Sequence, residues 1–287
     1  MREPRDKVCV MTGVTSGIGF EAAKQLAAGG MRVIGIGRTA EGCRRAEAEI
    51  RGSSHGAEVR VIVADLSSLG NVRGAAAAVC EDLPDGRLDR LIHNAATVSD
   101  WYIGTEDGYE LQFAVNYLAA FLLTRELFPA LVRPEEARVI TVSSSCHRRA
   151  VIRWEDPMFR RKYSGLKAYK QSKLALVLFT LELNRRVAHR FPLRAIGVEP
   201  GLVDTAVGEK NSGGLLATHG SPKGTKGLDP ADAAAAVVRL ATDRAASIPA
   251  DYWRLGRPSE PSSYARSADA ALRLWRLSER LCGVDFL

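Results

Sequence analysis

Nowhere in the 287 residues is there an uninterrupted apolar run of roughly 18 residues, the length a helix needs to cross a bilayer, so no membrane span is expected. Cysteine is scarce. Cys9, Cys43, Cys80, Cys146 and Cys282 are odd in number, widely spaced and free of any CxxC pair, which argues against a disulfide framework or a zinc site and fits a reducing compartment. No other grouping has metal-ligand spacing, so metal-free chemistry is expected. There is no Lys/Arg-rich tail and no basic stripe interleaved with aromatics, which argues against nucleic-acid binding despite a net charge of +7 and a pI near 9.3. That excess suits anionic small ligands. Residues 1–13 run straight into an apolar strand without a secretory core, and a cytoplasmic location is the expectation.

With 46% hydrophobic and 25% charged residues, the composition is that of an ordinary globular protein. Strands are expected at 7–12, 31–36, 58–64, 88–94, 137–142 and 193–198, with helices at 17–28, 41–51, 71–82, 109–132 and 168–190. Strands apolar on both faces, separated by helices, specify a parallel sheet covered on both sides. The expected fold is therefore α/β, a single doubly wound Rossmann-type domain over 1–287 with about seven strands. After Pro200 the rhythm breaks. The glycine-rich stretch 201–227 is expected to be a mobile substrate loop, and a helix follows near 231–242. Residues 264–287 form a C-terminal helical tail whose amphipathic face docks on the domain rather than on a membrane.

The segment Thr12-Gly13-Val14-Thr15-Ser16-Gly17-Ile18-Gly19 sits at the first strand-to-helix turn. Glycines here let backbone approach a pyrophosphate, whose charge the helix N-terminus favours. The spacing resembles that of the short-chain dehydrogenase/reductase family, and so do the later motifs. The resemblance implies that Asp65-Leu66 contacts adenine and that His93-Asn94-Ala95-Ala96 stands for the family's N-N-A-G, with His and Ala replacing its first and last residues. It also implies that Pro200-Gly201, with Thr205 beyond, meets the nicotinamide carboxamide. Cofactor choice follows from charge: an enzyme using NAD places an acid at the end of the second strand, whereas this strand ends Gly35-Ile36-Gly37-Arg38. Arg38 can pair with a 2′-phosphate, so NADP(H) is expected over NAD(H).

Tyr169-Lys170-Gln171-Ser172-Lys173 opens a long apolar helix. Residues at i and i+4 share a face, so Tyr169 and Lys173 can both point into one cleft. A free phenol ionises near pH ~10, and a neighbouring cation together with the nicotinamide charge is expected to lower that value. Tyr163 and Lys167 have the same spacing, but only Tyr169 is followed by Ser172 and an apolar helix, as in the family's Y-x-x-S-K pattern. The resemblance further implies Ser144, within Ser143-Ser144-Ser145, as the residue orienting the substrate oxygen, with Ser143 and Ser145 as alternatives. It implies Asn116 as the residue whose backbone holds a water in the proton relay. The expected catalytic set is Asn116, Ser144, Tyr169 and Lys173, transferring a hydride between nicotinamide and a carbonyl or secondary alcohol of a hydrophobic small molecule.

The long interval between Ser144 and Tyr169, together with the tail motif Leu274-Trp275-Arg276-Leu277-Ser278-Glu279, resembles the retinol-dehydrogenase-like branch that includes WW-domain oxidoreductase. The interval carries Arg148, Arg149, Arg153, Arg160, Arg161 and Lys162. A charge run of this kind is first read as a solvated face; the sharper alternative is a cleft wall receiving an acidic substrate. The helix after Tyr169 is more apolar than one buried face needs, which suggests a homodimer or homotetramer. Competing functions are reduction of a conjugated C=C bond on the same fold and an NADPH-binding regulator without catalysis.

Overall fold

The computed structural model describes residues 6–203, 227–244 and 250–287. Strand β1 (Val8–Thr12) is buried along its whole length. Its side chains alternate between two cores: Val8 and Val10 enter one, Cys9 and Met11 the other, the period-2 geometry of a strand covered on both faces. The other strands are β2 (Arg32–Gly37), β3 (Val59–Val63), β4 (Arg90–His93), β5 (Ala137–Val142), β6 (Leu193–Glu199), β7 (Tyr252–Arg254) and β8 (Arg257–Pro258). They form one sheet in the order β3-β2-β1-β4-β5-β6-β7-β8, parallel throughout except for the β7–β8 pair. The chain thus has the expected doubly wound fold, with a short hairpin added at one edge. That hairpin turns on Leu255 and Gly256, both at positive φ. Such turns usually announce themselves by Asn-Gly or Asp-Gly, so Leu-Gly hid it from sequence reasoning.

One face of the sheet carries helices α1 (Gly17–Ala28), α2 (Ala40–Gly52) and α7 (Pro230–Thr242). The other carries α3 (Leu69–Asp82), α5 (Ala119–Leu131), α6 (Gly165–Val187) and α8 (Ala268–Cys282). The expected helix over 109–132 is in fact three pieces. A short α4 (Leu111–Phe113) is capped by the Glu110 carboxylate, a π-helical turn spans Ala114–Leu118, and α5 follows. Helix α6 begins three residues earlier than expected. Ser164 is its N-cap, and Gly165 passes so close to the β4 loop that a Cβ there would sit 2.1 Å from the Ser99 carbonyl oxygen.

The apolar surplus of α6 has a partner within the chain. Helix α8 lies along α6, and Trp275 stacks on Phe179 at 5.9 Å and on Phe286 at 4.9 Å, with Phe121 edge-on at 5.1 Å. The Arg186 guanidinium covers the indole at 4.4 Å. Leu174, Leu176, Val177, Leu178 and Phe179 are all buried without a second subunit. The expectation of a homodimer or homotetramer rested on that surplus and on the pairing of family members through this helix; most of the surplus is buried within the chain, with Leu181 half-buried. The tail docks on the domain, as its amphipathic pattern indicated, and among the described residues no helix is long and apolar enough to cross a membrane.

Candidate active site

Six of the segments singled out in the sequence leave the C-terminal end of a parallel strand: 13–19 after β1, Arg38 after β2, Asp65-Leu66 after β3, Asn94-Ala95 after β4, Ser144 after β5, and Pro200-Gly201 after β6. The strand order reverses between β1 and β4, and it is at such a switch point that open α/β sheets hold ligands. Thr205 lies outside the described residues, as do all but the ends of the expected loop 201–227.

The glycine turn is built for close approach. Gly13 has φ +75°, and a Cβ on it would meet the Ala95 Cα at 2.8 Å; a Cβ on Gly19 would meet the Gly13 carbonyl oxygen at 2.1 Å. The Asn94 amide donates to the carbonyls of Thr12 and Gly13, both at 3.1 Å. The Thr12 hydroxyl accepts from the backbone N–H groups of Asn94 and Ala95 at 3.1 and 3.0 Å. Turn and β4 end are thereby locked together, with Thr12, the first residue of the segment, as the tie. Beyond it, Ser16 caps α1 without a side-chain bond to the helix, and the first turn of α1 has no acid. Thr15, Ser16, Gly17 and Ile18 thus present backbone N–H groups that no side chain satisfies, the arrangement that receives a pyrophosphate. Arg38 is exposed at the end of β2, where Thr39 caps α2. Asp65 accepts from the Ser67 N–H at 2.9 Å, Leu66 is buried, and the residues present fit a dinucleotide. His93, in place of the family asparagine, is buried and bonded to the Thr124 hydroxyl at 2.8 Å; burial pushes its pKa down to about 3, so the ring is neutral and serves the packing.

Tyr169 and Lys173 lie one helical turn apart on α6, both buried. The Lys173 Nζ donates to the Val142 carbonyl at 2.9 Å and stands 5.8 Å from the Tyr169 ring centre. Ser144 lies beside the Tyr169 phenol and acts on it, favouring its ionised form. Burial dominates both ionisations. It raises the Tyr169 phenol above its ordinary value, helped by the nearby Cys146 and opposed by Ser144, and it lowers Lys173 to about 8. The expected lowering of the phenol by its lysine does not occur in the protein alone, because the cost of burying a phenolate outweighs it. Cys146, which the sequence did not flag, acts on both groups.

Asn116 sits in the π-helical turn, where the Ala119 N–H reaches back five residues to Ala114. Such turns are rare and concentrate at functional sites. Its side chain accepts from the Thr97 N–H at 2.7 Å and donates to the Thr97 carbonyl at 3.0 Å and the Ser172 hydroxyl at 2.9 Å. Ser172 in turn donates to the Tyr169 carbonyl at 2.8 Å. Asn116, Ser172 and Tyr169 are therefore one connected unit. Of the other two serines, Ser143 is buried and donates to the Lys173 carbonyl at 3.1 Å, and Ser145 is exposed at the start of a 3₁₀ turn over Ser145–Arg149.

The rival pair separates. The Tyr163 hydroxyl donates to Glu110 and accepts from the Gln112 amide, both at 2.8 Å, while Lys167 is exposed. The basic interval is folded onto its surroundings. Asp156 accepts from the N–H groups of Arg160 and Arg161 at 2.9 and 3.0 Å, and the Arg160 guanidinium donates to the Gly108 carbonyl at 2.8 Å. Trp154 bonds the Tyr264 hydroxyl at 3.2 Å under Arg273. These contacts favour the structural reading over a cleft wall for acidic groups.

A family profile for the short chain dehydrogenases matches residues 7–214, and the chain belongs to that family of oxidoreductases. It is 33% identical to retinol dehydrogenase 13 of Homo sapiens over 97% of this chain and 85% of that protein. It is 34% identical to polyprenol dehydrogenase of Mus musculus, over 96% and 84%. The WW domain-containing oxidoreductase of Gallus gallus is also 34% identical, over 98% of this chain and 69% of its own length. Among solved structures, an uncharacterised protein of Mycobacterium paratuberculosis superposes with a TM-score of 0.78 at 34% identity, covering 98% of this chain and 95% of that one. A metagenomic short-chain oxidoreductase in complex with NADP superposes with a TM-score of 0.61 at 25% identity, covering 83% and 91%. The retinol-dehydrogenase-like branch indicated by the sequence is the one these relatives occupy, and a nicotinamide is the cofactor of the fold.

Proposed function

We propose that the chain is an NADP(H)-dependent oxidoreductase that interconverts a carbonyl and a secondary alcohol on a hydrophobic small molecule. The observation that carries this reading is the Tyr169 phenol, buried beside Lys173 and acted on by Ser144, on a fold whose glycine turn leaves the C-terminal end of β1. The nicotinamide supplies or accepts the hydride when bound. Gly13, Thr15, Ser16, Gly17, Ile18 and Gly19 would hold its pyrophosphate, Asp65 and Leu66 the adenine, Asn94 and Ala95 the adjoining backbone, and Pro200 and Gly201 the nicotinamide end. Arg38, with no carboxylate at the end of β2, favours the 2′-phosphate of NADP(H) over NAD(H).

Tyr169 is the acid–base group. Because burial raises its pKa, the phenol is protonated at neutral pH and equipped to give its proton to a carbonyl oxygen as negative charge develops there. Ser144 donates to the same oxygen. Lys173 brings a cation to the phenol and the cofactor ribose, and Asn116 links the site to solvent through its turn. The relatives named for retinol and polyprenol, both long apolar alcohols, support a hydrophobic substrate.

The test is a screen of hydrophobic ketones, aldehydes and alcohols with both cofactors, following absorbance of the reduced nicotinamide. Tyr169→Phe is expected to lose at least about 100-fold in kcat, the usual range for a general acid. Tyr163→Phe is expected to keep turnover and lose thermal stability, since it only unpairs Glu110 and Gln112. The opposite pattern would refute the assignment.

A further inference from the structure

The carbonyl of Ser144 is held by a side chain that the reaction does not use. His147 is fully buried, and its Nδ1 lies 2.7 Å from the Ser144 carbonyl oxygen, while its backbone N–H donates to the same oxygen at 3.1 Å. Its Nε2 lies 3.2 Å from the backbone N–H of Ser262. An N–H can only donate, so Nε2 is the bare nitrogen and Nδ1 carries the proton. The ring is therefore neutral, in line with the lowering of its pKa by burial. One imidazole thus joins the serine turn to the segment that leads into the tail.

The setting explains why such a tie is needed. Ser144 is the cap of a five-residue 3₁₀ turn, its hydroxyl accepting from the Cys146 N–H at 3.3 Å. Short 3₁₀ turns have poor hydrogen-bond geometry and little stability of their own. Around the imidazole stand further fixed groups. The Tyr252 hydroxyl lies 3.4 Å from Nδ1 and donates to the buried Glu199 at 3.2 Å, and Glu199 is paired with Arg148 at 3.5 Å and Arg254 at 3.1 Å. His147 is thus braced from β6, from β7 and from the segment after β8, and it passes that rigidity to one peptide group.

We propose that His147 is the positioning residue for Ser144: by clamping the Ser144 carbonyl against Ser262, its imidazole fixes the peptide from which the Ser144 hydroxyl is aimed at the Tyr169 phenol and the substrate oxygen. This rests on the assignment of Ser144 to catalysis made above. A group placed a fraction of an ångström off line loses much of its effect on a transition state, so the consequence is kinetic and specific to Ser144.

The experiment is a double-mutant cycle between His147→Phe and Ser144→Ala, read by single-turnover oxidation of NADPH with the best carbonyl compound of the screen, alongside NADPH affinity from fluorescence. The expected result is a loss of about tenfold from His147→Phe in the wild-type background and no further loss in Ser144→Ala, because residues acting as a unit are not additive. NADPH affinity stays within twofold. His147→Asn, whose amide nitrogen takes the place of Nδ1, regains most of the rate. His147→Gln keeps a partner for Ser262 but not for Ser144, and supplies the same comparison if the phenylalanine variant does not fold. Equal losses in both backgrounds would overturn this inference alone, showing His147 to act through general stability. A Ser144→Ala variant as active as wild type would overturn the assignment of Ser144 and this inference with it.

Discussion

Tyr169 and Lys173 show how far four-residue spacing can carry an argument. Two Tyr–Lys pairs share that spacing, and what separates them is the setting of each tyrosine: buried beside its lysine and acted on by Ser144 in one case, bonded to Glu110 and Gln112 in the other. The i,i+4 relation, the glycine turn and the missing acid after β2 were legible because each is local in sequence. His147 meeting Ser262, Tyr252 meeting Glu199, and Tyr163 meeting Glu110 were not, because those partners are far apart in the chain and no pattern announces them. The upward shift of Tyr169 in the protein alone was not legible either, since it depends on burial, which spacing does not report. Lys173 provides a test with a definite sign. Its folded pKa of about 8 lies below the ordinary 10.5, so a burial penalty is fully present below pH 8 and fades as pH rises toward 10.5. Cofactor-free Lys173→Met is therefore expected to be more stable than wild type at pH 7, on the order of 2 kcal/mol once the lost bond to Val142 is set against the relieved charge, with a smaller gain at pH 9.5. Urea denaturation at both values decides it; an equal gain at both would show that the lysine's charge is not the cause. Arg38→Ala is expected to raise the KM for NADPH by about 10–100-fold and to leave NADH little changed, as loss of a charge-assisted phosphate pair requires.

At the scale of elements, the site depends on close approaches that only glycine permits. The Gly165 position sets α6 against the β4 loop, and a methyl there would collide with a backbone oxygen that cannot rotate away. Gly165→Ala is expected to lower Tm by several degrees and to reduce turnover, because the start of α6 carries Tyr169. Retained Tm and rate would show that the helix can shift without cost. Gly19→Ala acts at the glycine turn, where its Cβ would press on the Gly13 carbonyl; weakened cofactor binding with an unchanged substrate KM, read by titration of NADPH fluorescence, is the expected result. Most element boundaries were legible within a few residues. The π-helical turn at Asn116 was not, because nothing in Ala114–Leu118 breaks the helical pattern. Nor was the anchoring of α7, whose last carbonyls are taken by the buried guanidiniums of Arg90 and Arg138, both paired with Glu136.

The whole molecule is organised around a face that the sequence read as unfinished. Apolar positions on α6 suggested a second subunit, yet the tail supplies what those positions need. Sequence periodicity reveals that a face must be covered and is silent on what covers it. The chain is accordingly expected to run as a monomer near 31.1 kDa in light scattering. Removing residues 264–287 should produce association or aggregation, since a large apolar face would meet water. Trp275→Ala should cost about 3–5 kcal/mol, as for other buried large aromatics. A truncated chain that stays monomeric and equally stable would show that the tail is dispensable.

The tail's place in the chain adds a matter of timing. Residues 268–287 are synthesised after the helices they cover, so α5 and α6 leave the ribosome with an oily side that stays bare until that segment follows. During that interval the nascent chain is at its most adhesive, and its yield in a cell depends on how quickly residues 268–287 arrive and settle.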